Sequence, residues 1–263
     1  SNALGLRYQF DGDAVNTEVL TSWADTDTTY SYDEDWSFVG IAPELEYSSF
    51  DRYLRDRRSY SAQLRLSSAV PYFTPAGDLD WLAGLYTLSD DEALHREYTY
   101  LSEDFRSRFR ADTVAAFGQL DLTVGERWQF AAGLRLAQRR MRYDDSAEVR
   151  ADPDNTLWGG KLSASYTTPR HGMFYAALSR GYRAGGVNAG ILASPSTPDT
   201  EDRLTPLRFF AEESLYNVEL GHKGSFLRDR LRSALTLFYM DRADQQVRGS
   251  LVLPREDGST AFI

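Results

Sequence analysis

The 263-residue sequence contains no cysteine, which excludes a disulfide framework, thiolate metal sites and a cysteine nucleophile. Its three histidines show no His-Glu-x-x-His spacing, so no metal site is expected. A Gly-x-Ser-x-Gly elbow, a phosphate-cradling Gly-x-x-x-x-Gly-Lys loop and a Rossmann glycine pattern are also missing. The expectation is therefore neither an enzyme nor a cofactor-binding protein. Positive charge is in the minority, and a net charge of −10 creates a field that repels phosphate backbones. Nucleic acid is not an expected partner. No apolar run reaches the ~18 residues of a membrane-spanning helix, and no signal-peptide pattern is evident. A transmembrane β-barrel stays open, because its strands place apolar residues only at alternate positions.

What is present fits a folded chain: 42% hydrophobic, 26% charged and 13% aromatic residues. The recurring period is two. Trp128, Phe130, Ala132, Leu134 and Leu136 alternate with Gln129, Ala131, Gly133, Arg135 and Ala137, one apolar file against one small or polar file. The same alternation runs through Leu4, Leu6, Tyr8 and Phe10, through Tyr60, Ala62, Leu64 and Leu66, and through Val114, Ala116, Gly118, Leu120 and Leu122. Leu231 to Asp241 carries apolar residues in both files, so its pattern assigns no face. Ser1-Asn2-Ala3 resembles the scar of a cleaved expression tag, and the reading takes 4–263 as the domain.

Tight turns are expected at Asp11-Gly12-Asp13, Gly125-Glu126-Arg127, Pro169-Arg170-His171-Gly172 and Arg228-Asp229, with a further short connection across Val70 to Asp80. Between them lie long polar connections, roughly Asp25 to Asp56, Ser89 to Asp112, Asp144 to Thr156 and Gly185 to Ala211. Short and long alternate, as they do in barrels with short periplasmic turns and long extracellular loops. The expected fold is all-β, an antiparallel up-and-down meander of about ten strands forming part of a transmembrane barrel. Trp128, Phe174, Tyr175 and Phe226 lie next to tight turns, where an aromatic girdle meets one membrane interface; Tyr143, Tyr182 and Tyr239 lie toward the other.

Three stretches carry a family resemblance. Phe174 to Asn188 includes Gly181-Tyr182-Arg183-Ala184-Gly185-Gly186-Val187-Asn188; Glu212 to Lys223 includes Glu219, Gly221 and Lys223; Leu235 to Val247 includes Phe238-Tyr239 and Gln246-Val247. In this order and spacing they resemble the barrel of TonB-dependent outer-membrane receptors. His222 stands where that family usually has an aliphatic residue.

The resemblance implies a transporter for an iron-siderophore or a similar scarce nutrient, located in the bacterial outer membrane and energised through TonB. It also implies a plug, a TonB-binding segment and further C-terminal strands, none recognisable here, so 4–263 is expected to be an internal portion of a larger barrel. Ten strands in isolation should close into a smaller barrel, pair their edges with another copy or depend on crystal neighbours. Outer-membrane lipid is an expected partner.

Candidate ligand residues are Arg180, Tyr182, Arg183 and Asn188, with Arg180 and Arg183 expected to face the lumen and meet an anionic chelate. The acidic residues of the connections are Asp25, Asp27, Asp33, Glu34, Asp35, Asp144, Asp145, Asp152, Asp154, Asp199, Glu201 and Asp202. They either solvate loops or hold cations. His95 is expected in a loop. A soluble lectin-like sandwich and a passive porin are the rival readings.

Overall fold

The computed structural model describes residues 1–33, 48–99, 101–169, 171–188, 204–228, 230–247, 249, 252–254 and 260–262. Glu34, Asp35, Arg170, Asp199, Glu201, Asp202 and Asp229 lie outside the described residues. Ten principal strands follow one another: β1 Asn2–Asp11, β2 Val15–Asp33, β3 Phe50–Ser68, β4 Gly77–Tyr98, β5 Phe105–Val124, β6 Trp128–Asp145, β7 Asp154–Thr168, β8 Gly172–Arg183, β9 Glu213–Phe226 and β10 Leu231–Ala243. Each pairs antiparallel with the next, so the chain is a meander in a single sheet. Short strands at Tyr72–Thr74 and Arg150–Ala151 add to its margins, and Gly186–Val187 pairs with Phe209–Phe210 apart from it.

The period-two pattern becomes two chemically distinct faces. Register sets Leu4 opposite Trp23, Val19 opposite Leu64, Leu64 opposite Leu85, Leu85 opposite Ala116 and Ala116 opposite Leu136. This file is exposed and almost wholly apolar. The other face carries Ser61, Gln63, Gln119, Lys161 and Ser163, and toward the upper end, away from the tight turns, its side chains crowd together and become buried. Ala111, Ala115, Ala137, Met141, Tyr143 and Leu157 are buried there. The crowded face is the inner one, and the apolar face is the outer one.

Register also assigns β10, where pattern alone does not. Leu235 lies opposite His222, Leu237 opposite Leu220 and Tyr239 opposite Val218, all in the outer file. Phe238 and Met240 therefore face inward.

An aromatic row crosses the outer face beside the tight turns, with Trp128 opposite Tyr166, Tyr166 opposite Phe174 and Phe174 opposite His222. The rings touch: Trp128 and Tyr166 have centroids 4.6 Å apart, and Phe174 and His222 4.5 Å apart. His222 fits this position because its Nε2 donates to the His171 carbonyl at 2.5 Å while its ring packs on Phe174. The other edge of the band is marked by Trp23 and Tyr60, which are opposite each other, and by Trp158 and Tyr216. From Trp128 to Leu136 the strand covers roughly 27 Å, or about 20 Å of membrane normal at a tilt near 40°. Beyond Leu136 the outer file turns polar, with Gln138, Arg140, Arg142 and Asp144.

Two expectations are corrected. The connections are shorter than the polar stretches suggested, because β2 to β6 continue as strands well past the apolar band; His95 and Asp90 to Glu92 lie within β4 and not in a loop. Above the band the outer face turns polar and the inner face mixes charged residues with the buried Leu94, Phe105 and Tyr143, so the clear alternation that marks a strand fades while its hydrogen bonds continue. Among the described residues closure into a smaller barrel is not seen either: β1 and β10 end the sheet order without pairing to each other. Barrel diameter rises with strand number, and the inner face is filled by bulky side chains, Arg135 lying over the rings of Tyr86 and Phe117.

A buried knot stiffens the strand extensions. Asp51 is fully buried and accepts from Arg96 Nε at 2.8 Å, Arg96 Nη2 at 2.7 Å, and the hydroxyls of Tyr32 and Tyr53 at 3.0 Å each. Arg96 lies over the rings of Tyr53 and Tyr98. Burial is the largest single influence on Arg96 and works against its charge, yet the hydrogen bonds to Asp51 together with the charge interactions with Tyr53, Asp51 and Tyr32 raise its pKa.

Candidate functional site

Near the upper end of the inner face the sheet forks. β8 pairs with β7 only as far as Arg180 opposite Gly160, although β7 runs on to Asp154. From there β8 stays with β9 and leads the chain inward. The carbonyl of Trp158, beyond the last β7–β8 pair, accepts a hydrogen bond from Arg180 Nη1. The same guanidinium lies 4.3 Å from the centre of the Trp158 ring, donates from Nε to the Tyr216 hydroxyl at 3.1 Å and is 3.5 Å from Glu212.

Arg180 thus sits in the outer file between Trp158 and Tyr216, and the expectation that it faces the lumen is corrected. The physical reason is parity: Phe174, Ala176, Leu178 and Arg180 are successive members of one face. Tyr182 does face inward, because the fork turns the chain at Gly181. Its ring packs over Gly159, where an added Cβ would lie 3.1 Å from the ring carbons and 2.9 Å from the Arg180 carbonyl. Only glycine leaves that room. Arg183 is exposed and lies opposite Glu213; Asn188 is exposed, and its backbone N–H donates to the Arg208 carbonyl at 2.8 Å.

The inward-turned segment lies over β4 to β6. Arg139 Nη1 donates to the Gly185 carbonyl at 3.0 Å, and Val187 packs against a cluster of Leu94, Phe105 and Tyr143. Gln246 moors both ends of the excursion, its side-chain amide donating to the Ala184 and Ala211 carbonyls while its backbone N–H donates to Glu213 at 2.7 Å. Gly221 likewise has a packing role: the Tyr175 ring lies across it, too close for any Cβ, with Lys223 5.5 Å from that ring. Much of the three-stretch pattern is therefore explained by how this wall is built.

Three inner-face cations were not among the expected site residues. Arg135 donates to the Tyr182 hydroxyl at 3.2 Å and lies over the rings of Tyr86 and Phe117. Arg135 and Lys161 line a recess of about 380 Å³ with Phe117, Gln119, Gly159 and Tyr182. Arg139 stands above the apolar band, where burial lowers its pKa. None of the three forms an ion pair among the described residues. Their signal was available in the sequence, since Arg135 and Arg139 occupy the file opposite Leu134 and Leu136. Among the described residues one group has metal-ligand spacing, His95, Glu97 and Asp104. His95 Nε2 is 2.9 Å from Asp104, and Glu97 is paired with Arg52.

Comparison with known proteins gives the wall its relatives. The family described as "TonB dependent receptor-like, beta-barrel" matches residues 1–259. The ferric yersiniabactin uptake receptor FyuA from Yersinia pestis is similar at 17% identity and a TM-score of 0.70, over 93% of this chain and 36% of that one. The ferric-catecholate import receptor Fiu from E. coli K12 is similar at 15% and 0.65, over 98% and 42%. The copper transporter OprC is similar at 17% and 0.63, over 99% and 42%. The chain spans well under half the length of these structures, and the likeness is one of fold.

Proposed function

Because the chain belongs to the TonB-dependent receptor-like β-barrel family, we propose that it forms part of the wall of an outer-membrane transporter for an anionic metal chelate of the iron-siderophore kind, driven through TonB. Members of this family are transporters and not enzymes. In this reading residues 4–263 are an internal portion of a barrel that also holds a plug, and the TonB contact lies in a segment outside this chain. The observation that carries the substrate class is the set of inner-face cations, Arg135, Arg139 and Lys161, which form no ion pair among the described residues, Arg139 feeling only the more distant charge of Asp90; Arg135 and Lys161 border the rings of Tyr86 and Tyr182. Guanidinium forks suit carboxylate and catecholate oxygens, and the rings supply a flat apolar wall. Arg183 and Asn188 stand at the margin of the inward-turned segment and are proposed as further contacts. Arg180 supports the fork.

The test is uptake of radioactive iron by cells producing the full-length receptor, supplied with a ferric catecholate bearing net negative charge and, separately, with a neutral ferric hydroxamate. Uptake of the anionic chelate, abolished by deletion of TonB and reduced at least tenfold by Arg135→Gln with Arg139→Gln, is expected. Uptake that ignores TonB, or that survives the double substitution, contradicts the proposal.

A further inference from the structure

The strand that supplies Arg96 to the buried knot carries a second constellation on its other side. Arg96 faces inward to Asp51, so by parity its neighbours His95 and Glu97 share the outer face of β4. The β4–β5 ladder ends with Arg96 opposite Phe105, and the register continued by one step sets Asp104 across from Glu97. Two carboxylates therefore meet across the end of a hairpin, where like charges repel unless a cation lies between them. Arg52, opposite Glu97 on β3, reaches it from the far side at 3.3 Å. Asp104 instead has His95 Nε2 at 2.9 Å. Arg106, opposite His95, pairs with neither carboxylate among the described residues. The imidazole nitrogen and one oxygen from each carboxylate all lie within 4.8 Å of one another.

We propose that His95, Glu97 and Asp104 bind a first-row divalent cation such as zinc, with water completing its shell, and that the ion clasps the upper end of β4 to the start of β5. Ligand bonds of about 2.0–2.1 Å in a tetrahedral shell set donor atoms roughly 3.3 Å apart. His95 and Asp104 need to part by only about 0.4 Å, and Glu97 to close in by at most about 1.5 Å, within reach of a side-chain rotation. One imidazole nitrogen with two carboxylate oxygens suits zinc better than calcium or magnesium, whose shells are built from oxygen. A carboxylate has oxygens enough for Arg52 and the ion together. Histidine spacing drawn from helices misses this set: on a strand, donors two residues apart share a face, and the hairpin delivers the third. The outward-facing position keeps the clasp separate from the inner-face cations and from the path of a transported chelate.

Equilibrium dialysis of the full-length receptor in detergent, stripped with a chelator and returned to micromolar zinc chloride, reads the site when bound zinc is counted by elemental mass spectrometry. Wild type should hold one zinc more than either His95→Gln or Asp104→Asn, and excess calcium should not displace it. Zinc should slow amide hydrogen exchange from Leu101 to Phe105 in wild type and leave it unchanged in His95→Gln, which separates this site from zinc bound elsewhere in the receptor. Arg52→Gln, which removes a cation competing for Glu97, should tighten zinc binding about threefold or more. Circular dichroism and heat-modifiable migration check that each variant is folded. Equal zinc counts in wild type and the folded variants, displacement by calcium, or exchange from Leu101 to Phe105 that ignores zinc overturns the proposal.

Discussion

Strands β2 to β6 run for 18 to 22 residues, whereas β8 to β10 run for 12 to 14. Both groups cross the same apolar band, so the difference lies above it. In the first group the chain continues upward because cross-strand partners await it: Arg58 with Asp25, Arg57 with Asp90, Arg108 with Asp91, and the buried Asp51–Arg96 knot. In the second, Ala184, Gly185 and Gly186 offer no such partners, and the chain turns inward over the first group. The apolar band is set by the membrane, while the height of the wall above it is set by polar pairing. That division leaves β8 to β10 to build the fork that brings Tyr182 beside Arg135.

The comparison breaks most visibly at the knot. Asp51→Ala strands a buried guanidinium and should cost about 3–5 kcal/mol locally, seen as fast amide hydrogen exchange in the upper parts of β2 to β4 with the band below still protected. Asp51→Leu with Arg96→Met should recover most of that protection. Collapse of the whole sheet would mean that height and band are not separable.

At the fork, Gly159→Val pushes a side chain into the Tyr182 ring and the Arg180 carbonyl, and an overpacking cost of about 1–3 kcal/mol is expected. The thermal midpoint in detergent should fall, with exchange rising in β7 and β8 and not in the knot. Arg180→Ala leaves the Trp158 carbonyl without its side-chain donor and should cost about 1–2 kcal/mol. Arg180→Lys should restore only part of this, because an ammonium cannot serve the carbonyl and the Tyr216 hydroxyl with one planar fork. The smallest effect belongs to Arg58→Ala on the exposed outer face, within about 1 kcal/mol and weaker still in high salt.

The same contrast explains what was legible. Inside the bilayer one face must be apolar, so the files of Leu4 to Phe10 and of Trp128 to Leu136 announced strands, faces and membrane in one pattern. Above the band the outer face is polar and the inner face is mixed, so residues such as Asp25 to Asp33 looked like loop. Arg180 was placed in the lumen because its charge suggested water, while its parity with Leu178 placed it outside; Trp158 and Tyr216 make that position tolerable. Tyr182 was placed with the aromatics toward the far membrane interface and among the candidate ligand residues; the structure turns it inward through a fork that no local pattern announces, since the loss of β7 as a partner depends on residues more than twenty positions away. Arg135 was visible in the polar file and passed over because it lies outside the three family-like stretches.

Site-directed spin labelling tests the central claim most directly: these 263 residues contain no cysteine, so single cysteines placed from Gly133 to Arg142 are the only labels in this wall of a full-length receptor in which any cysteine elsewhere is replaced by serine. Electron paramagnetic resonance then compares collisions with oxygen, which concentrates in lipid, and with a water-soluble nickel chelate. The account predicts alternation with a period of two up to Leu136, with even positions favouring oxygen and odd positions shielded from it, giving way at positions 138, 140 and 142 to water-accessible labels on the outer face. Uniform accessibility along the strand, or oxygen exposure at Arg135 in place of Leu134 and Leu136, would contradict it.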